Sequence, residues 1–159
     1  MKYPLKVREQ IQFYGSEDAV VSAAVALLTQ RMRSGDALSS PGAVCDFLRL
    51  TLAGLEAETF WMVSLDSQNR VIAAREMFRG TIAQTSVYPR EVVKQALADN
   101  AGAVVFAHNH PSGVVEPSRA DELLTQSLKT ALALVDVRVL DHFVVAGSNY
   151  VSFAERGLL

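Results

Sequence analysis

Cysteine is nearly absent. The 159 residues contain one, Cys45, so no disulfide can form within the chain, and a reducing compartment, the cytoplasm, is expected. Among Val44, Phe47 and Leu48 this thiol reads as a small buried apolar group. Long apolar runs are missing as well. The longest nearly apolar segment, residues 19–28, is interrupted by Ser22 and falls far short of the roughly 20 residues a membrane helix needs. Residues 1–14 mix charges without an apolar core run, so no secretory signal is read there. Neither sign of charge dominates: 15 Lys and Arg stand against 17 Asp and Glu, for a net charge of −2 and a pI near 5.9. Charge therefore gives no support to a nucleic-acid partner, although a local basic patch is not excluded by it. Repeats and low-complexity tracts are absent.

What is present suits one compact domain. Residues 1–40 read as an N-terminal arm and helix, and residues 41–159 as the main body. Residues 1–15 suggest an arm or an edge strand. Ser16 can cap a helix whose first turn holds Glu17 and Asp18, with Val20, Val21, Ala24, Val25, Leu28 and Met32 at helical spacing and Gly35 as its stop. Ser40 and Pro41 open a second helix with Val44, Phe47, Leu48, Leu52 and Leu55 on one side. The period then changes. Residues 59–65 and 70–78 read as a strand pair around the turn 66–69, and residues 80–87 as a third extended piece. Pro89 starts a helix to about Asp99, which Asn100 can close. Residues 103–107 form an apolar strand, Ser118 opens a helix to about Leu134, and residues 137–146 and 150–153 read as strands. Helices interleaved irregularly with strands, one hairpin among them, predict an α/β fold with a mixed sheet and flanking helices.

The densest chemistry follows the strand 103–107: His108-Asn109-His110, then Pro111-Ser112-Gly113, Ser118 and Asp121. Side chains alternate along a strand, so His108 and His110 face one way and Asn109 the other. Pro111 ends regular pairing and Gly113 permits a tight turn. Asp121 falls in the first turn of the next helix, from which its carboxylate can turn back to the imidazoles. Taken alone, Ser118-x-x-Asp121 is a helix N-terminal signal, and a single histidine at a strand end is a polar terminus. Together they supply two nitrogens and one oxygen, a ligand set that suits zinc better than manganese or iron. Three protein ligands with one position open is a catalytic pattern, since zinc lowers the pKa of bound water to about 7.

His108-x-His110, seven residues, Ser118, two residues and Asp121 resemble the JAMM motif of MPN-type zinc peptidases. The strings HNHPSG, EPSRAD and LDHFVVAGSNYVSFAERGL, with LDSQNRVI, EMFRGTI and YPREVVKQAL, resemble the RadC family of bacterial JAB-like domains over residues 55–159. This resemblance implies a JAB/MPN-like, cytidine-deaminase-like layered architecture. It implies zinc on His108, His110 and Asp121, and Ser118 as a donor to the oxyanion, a role worth about 3 kcal/mol. It also implies an upstream glutamate as general base. Glu58, just before the strand 59–65, fits that place best; Glu56 and Glu76 are the alternatives. His142 recurs in the family pattern, as a hydrogen-bond partner behind the metal ligands or, more simply, as a buried structural histidine. Arg90 is either a helix-start ion pair or a substrate contact, and Phe60 and Trp61 read as core. Longer RadC relatives carry a helix-hairpin-helix module. The roughly 55 residues before the matching region lack its glycine-containing hairpin, as in short members carried on prophages, so a DNA-repair role gains no support here.

The reading expected from all this is a zinc metallopeptidase or isopeptidase whose partner is a peptide or protein substrate. A DNA-processing factor and a non-catalytic MPN-like scaffold are the alternatives. HNH endonucleases draw their letters from separated positions, so the contiguous His-Asn-His is a coincidence of spelling. Scaffolds usually lose ligands, and this chain keeps all three.

Overall fold

The computed structural model describes residues 5–33, 41–80 and 87–159. Five helices and five strands follow in the order α1 (Leu5–Tyr14), α2 (Glu17–Arg33), α3 (Pro41–Leu52), β1 (Thr59–Leu65), β2 (Val71–Arg79), α4 (Pro89–Ala98), β3 (Ala103–Asn109), α5 (Arg119–Ala133), β4 (Arg138–Ala146) and β5 (Asn149–Ser152). The strands form one sheet in the order β2-β1-β3-β4-β5. β3 and β4 run parallel, joined through α5, and every other pairing is antiparallel. The result is a mixed α/β sheet with helices on both faces.

Alternation along the strands explains the layers. Val63 and Leu65 of β1, Val105 and Ala107 of β3, and Phe143 and Val145 of β4 pack on one face against Val44, Cys45, Phe47, Leu48 and Leu52 of α3. Phe60, Met62, Val104 and Phe106 point the other way, onto Val92 and Ala96 of α4 and Leu128 and Leu132 of α5. With helices over both faces, β3 is buried along its whole length, which is why its residues 103–107 read as an uninterrupted apolar run. Asn100 takes φ 51°, closing α4 in the left-handed conformation its sequence position suggests.

Two expectations change. Residues 5–14 are helical, in place of an arm or edge strand. Lys6, Arg8, Glu9 and Gln10 are straight-chain helix formers, and α1 packs on α2. Leu55 lies beyond the end of α3, and its carbonyl serves a different purpose, described below. The expected extended piece at residues 80–87 falls mostly outside the described residues, as do Gly35 and Ser40. Among the described residues no helix is long and apolar enough to cross a membrane.

Candidate metal centre

The centre forms where β3 leaves the sheet. His108 is the penultimate residue of β3, and His110 lies one step past its end, its amide still bonded to the Val145 carbonyl at 2.8 Å. The two imidazoles project toward the α5 side, as strand alternation requires, and their Nε2 atoms approach to 3.0 Å. Gly113 at φ 81° lets the loop turn, and the Val114 carbonyl comes back to meet His110 Nδ1 at 2.7 Å. Ser118 then caps α5. Its hydroxyl accepts from the Asp121 amide at 3.2 Å, while Asp121 Oδ2 accepts from the Ser118 amide at 2.7 Å and from its hydroxyl at 2.6 Å. This reciprocal box fixes the carboxylate opposite the histidines, Oδ1 at 3.5 Å from His108 Nε2 and Oδ2 at 3.6 Å from His110 Nε2. Among the described residues, these three form the one cluster whose ligand atoms all lie within 4.8 Å of one another.

The donor set fits a cation. His110 Nδ1 faces a carbonyl, which only accepts, so its hydrogen lies there and the neutral ring presents a bare Nε2. His108 has its Nδ1 engaged by His142 at 2.8 Å and turns Nε2 to the same point. Two imidazole nitrogens 3.0 Å apart, with the Asp121 carboxylate 3.5 and 3.6 Å from them, make a point that suits a positive charge. A divalent ion there accepts a lone pair from each nitrogen, with Asp121 as third ligand. Electrostatics agree. Burial pushes His108 down to about 4, His110 adding to the fall and Asp121 opposing it, so this ring stays neutral. The facing Asp121 carboxylate holds His110 above its ordinary value against partial burial. Burial pushes the Asp121 carboxyl up, but His110, His108 and Ser118 outweigh it and keep the group well below the usual carboxylate range.

The centre opens into a cleft of about 730 Å³ lined by Glu58, Ser112 and Ser118 and by the apolar Phe60, Val87, Tyr88 and Leu124. Glu58, partly buried, is thus on the same wall system as His108, His110 and Asp121. Glu56 lines a second cleft with Asn109 and Pro111, and of the three clustered residues only His110 lines that cleft as well. β1 starts only at Thr59, so Glu56 and Glu58 both precede the strand. Glu76 is exposed on β2, held by Nε and Nη2 of Arg79. Arg90 pairs with Glu91 at 3.4 Å and is 81% exposed. Phe60 is core, whereas Trp61 is half-buried against the α3-side cluster. Cys45 is buried, and burial raises its thiol.

Three residues carry more than their sequence positions disclosed. His142 is fully buried and bonded to His108, so it is the hydrogen-bond partner and not merely a structural histidine. Thr125, which sequence reading passed over, bonds His142 Nδ1 at 2.7 Å. Asn109, on the opposite face from the histidines, clamps the segment before β1. The recurrence of His142 was a signal for the first; nothing local marked the other two.

The profile of the RadC-like JAB domain matches residues 38–158. A UPF0758 protein of Thiobacillus denitrificans is 60% identical over 146 residues, which is 92% of this chain and 65% of the relative. UPF0758 proteins of Nitrosospira multiformis (61% over 141 residues, covering 89% of this chain and 63% of the relative) and Dechloromonas aromatica (63% over 133 residues, covering 83% and 59%) are similar too. The chain spans just under two-thirds of the length of these curated relatives. On the matched span, the five-stranded mixed sheet and the His-His-Asp cluster, the chain belongs to the RadC-like JAB domain family.

Proposed function

We propose that this protein is a zinc-dependent hydrolase that cleaves an amide bond in a peptide or protein. One observation carries the reading. Two imidazole nitrogens and a carboxylate converge at the floor of a cleft whose wall also bears Glu58. A zinc ion held by His108, His110 and Asp121 supplies Lewis acidity toward the amide carbonyl and acidifies a water molecule.

The chain's own residues do the rest. Glu58 takes the proton of the attacking water and returns it to the departing amine nitrogen, a service worth roughly 10²–10⁴ in rate. Ser118 in the resting site gives its hydroxyl hydrogen to Asp121 Oδ2. Rotation about its Cβ–Oγ bond turns that hydrogen to the carbonyl oxygen as negative charge grows there. Val87, Tyr88 and Leu124 give the cleft an apolar wall against which a substrate side chain can pack. The metal ligands sit on a strand end and a helix start, which keeps them rigid relative to the open cleft.

The test is metal analysis followed by incubation of the zinc-loaded chain with a peptide library, new termini being read by mass spectrometry. Cleavage by the wild type, with zinc retained and cleavage lost at least a hundredfold in Glu58→Gln, is expected. Stoichiometric zinc without any cleavage would leave a metal-binding scaffold. Full activity in Glu58→Gln would move the base to Glu56 or Glu76.

A further inference from the structure

Behind His108 a line of hydrogen bonds runs through the core and returns to Asp121. Its directions follow from its ends. The Thr125 hydroxyl stands 2.6 Å from the Asp121 main-chain carbonyl, an oxygen that only accepts, so the hydroxyl hydrogen lies there. Thr125 Oγ therefore has only lone pairs to offer His142 Nδ1, 2.7 Å away, and His142 must donate. His142 is wholly buried, with its ring against Phe153, Phe60 and Phe106 at centroid distances of 4.7, 5.4 and 6.0 Å, surroundings that keep an imidazole neutral. A neutral ring with its hydrogen on Nδ1 leaves Nε2 bare. That bare nitrogen lies 2.8 Å from His108 Nδ1, so His108 donates in turn and its own Nε2 is bare toward the cleft.

We propose that Thr125 and His142 are positioning residues that lock His108 in the Nδ1–H tautomer and so select the nitrogen offered to the metal. The inference rests on the metal reading above but makes a separate claim. Free histidine favours the opposite tautomer, with hydrogen on Nε2, which would block the one atom aimed at His110 and Asp121. The hydrogen bond on the far nitrogen decides between the two. His110 is set by the Val114 carbonyl, a loop contact at the surface, whereas His108 is set by a buried line anchored on α5. Because that line ends on the Asp121 carbonyl, it ties one ligand to the main chain of another. Any shift of α5 along the sheet would disturb His108 and Asp121 together.

Long-range ¹H–¹⁵N correlation spectra of the full chain, labelled with ¹⁵N and free of metal, report the tautomer of each ring. His108 and His142 are both expected as Nδ1–H. Thr125→Val removes the anchor without changing side-chain shape. It is expected to release His108 into a tautomer mixture and to weaken zinc binding by 10- to 100-fold in chelator competition. Thr125→Ser restores both. His142→Gln keeps an acceptor for His108 and a donor for Thr125, so it holds zinc within a few-fold of wild type, whereas His142→Leu does not. An Nε2–H signal on His108 in the wild type overturns the proposal without any variant having to fold. So does a Thr125→Val protein with unchanged tautomer and zinc affinity. A wild type that binds no zinc yet shows Nδ1–H on His108 refutes the metal reading and supports the line of bonds.

Discussion

The Asn109 carboxamide oxygen accepts from both the amide and the hydroxyl of Thr59, at 2.8 and 2.9 Å. Its nitrogen donates to the carbonyls of Ala57 at 2.9 Å and Leu55 at 3.3 Å. One side chain thus grips both sides of Glu58, while its chain neighbours His108 and His110 reach the metal centre from the other face of the strand. The middle residue of His-Asn-His holds the proposed base in place. Asn109→Ala is expected to lower kcat on a cleaved peptide at least tenfold while zinc affinity changes by less than threefold. Leaving these buried groups unpaired costs about 1–3 kcal/mol each, so a lower urea midpoint accompanies the loss. Equal losses of zinc and activity would mean that Asn109 acts through the histidines instead.

Ser118 is asked to do two things with one hydroxyl, and substitution separates them. As a cap and clamp on Asp121, its removal in Ser118→Ala costs about 1 kcal/mol of stability and loosens zinc. As an oxyanion donor alone, its removal costs roughly 10²–10³ in kcat with zinc unchanged. The bond to Asp121 Oδ2 predicts that both effects occur, with Ser118→Thr recovering the cap. Thermal unfolding, chelator competition and steady-state kinetics on the same preparation check this.

Much of this centre was legible because its logic is local. Strand alternation put His108 and His110 on one face, and a cap signal put Asp121 three residues beyond Ser118. The described elements from β1 onward were legible for the same reason, since Thr59–Leu65 carries its period and Arg119–Ala133 its cap in the sequence. What stayed hidden depends on pairing across the chain. His142 meets His108 across 34 positions only because β3 and β4 run parallel with an irregularity between Val104 and Val105 that sets their register. Asn109 meets Thr59 across 50 positions. Which of Glu56, Glu58 and Glu76 shares a cleft with the histidines was hidden too, because the walls of that cleft come from distant segments. α1 was misread because its mixed polar sequence carries no clear period of either kind.

Metal binding to a preformed site stabilises the fold by mass action. At a free zinc concentration about a thousand times the Kd, the stabilisation is about 4 kcal/mol. Thermal unfolding with and without zinc is expected to show this shift in the wild type and in Glu58→Gln. It is expected to vanish in His110→Ala, which removes one of three ligands and leaves a neutral His108 and a carboxylate too sparse to compete with a chelator. A shift of equal size in His110→Ala would place the ion elsewhere.

Acid sensitivity of the fold has a separate source, Asp99 at the end of α4. Its side chain is 5% exposed and joins three elements, accepting from Ser64 of β1 at 2.7 Å, Arg75 of β2 at 3.1 Å and Gln95 of α4 at 2.9 Å. Burial pushes the carboxyl up, but these partners outweigh it and hold the group below its ordinary value. A depressed pKa in the fold means that the charged form stabilises the native state. That contribution is complete above the unfolded value of about 3.9 and is lost as pH falls through the lower folded value. Asp99→Asn is therefore expected to cost about 1.5–3 kcal/mol near pH 7, the range for hydrogen bonds to a charged group. Urea unfolding at pH 7 and at pH 3 measures the difference, which should shrink at the lower pH because the carboxyl of the unfolded wild type takes up a proton there before the native one does. A difference that stays constant would assign the cost to lost shape complementarity, because packing does not titrate and a carboxylate does.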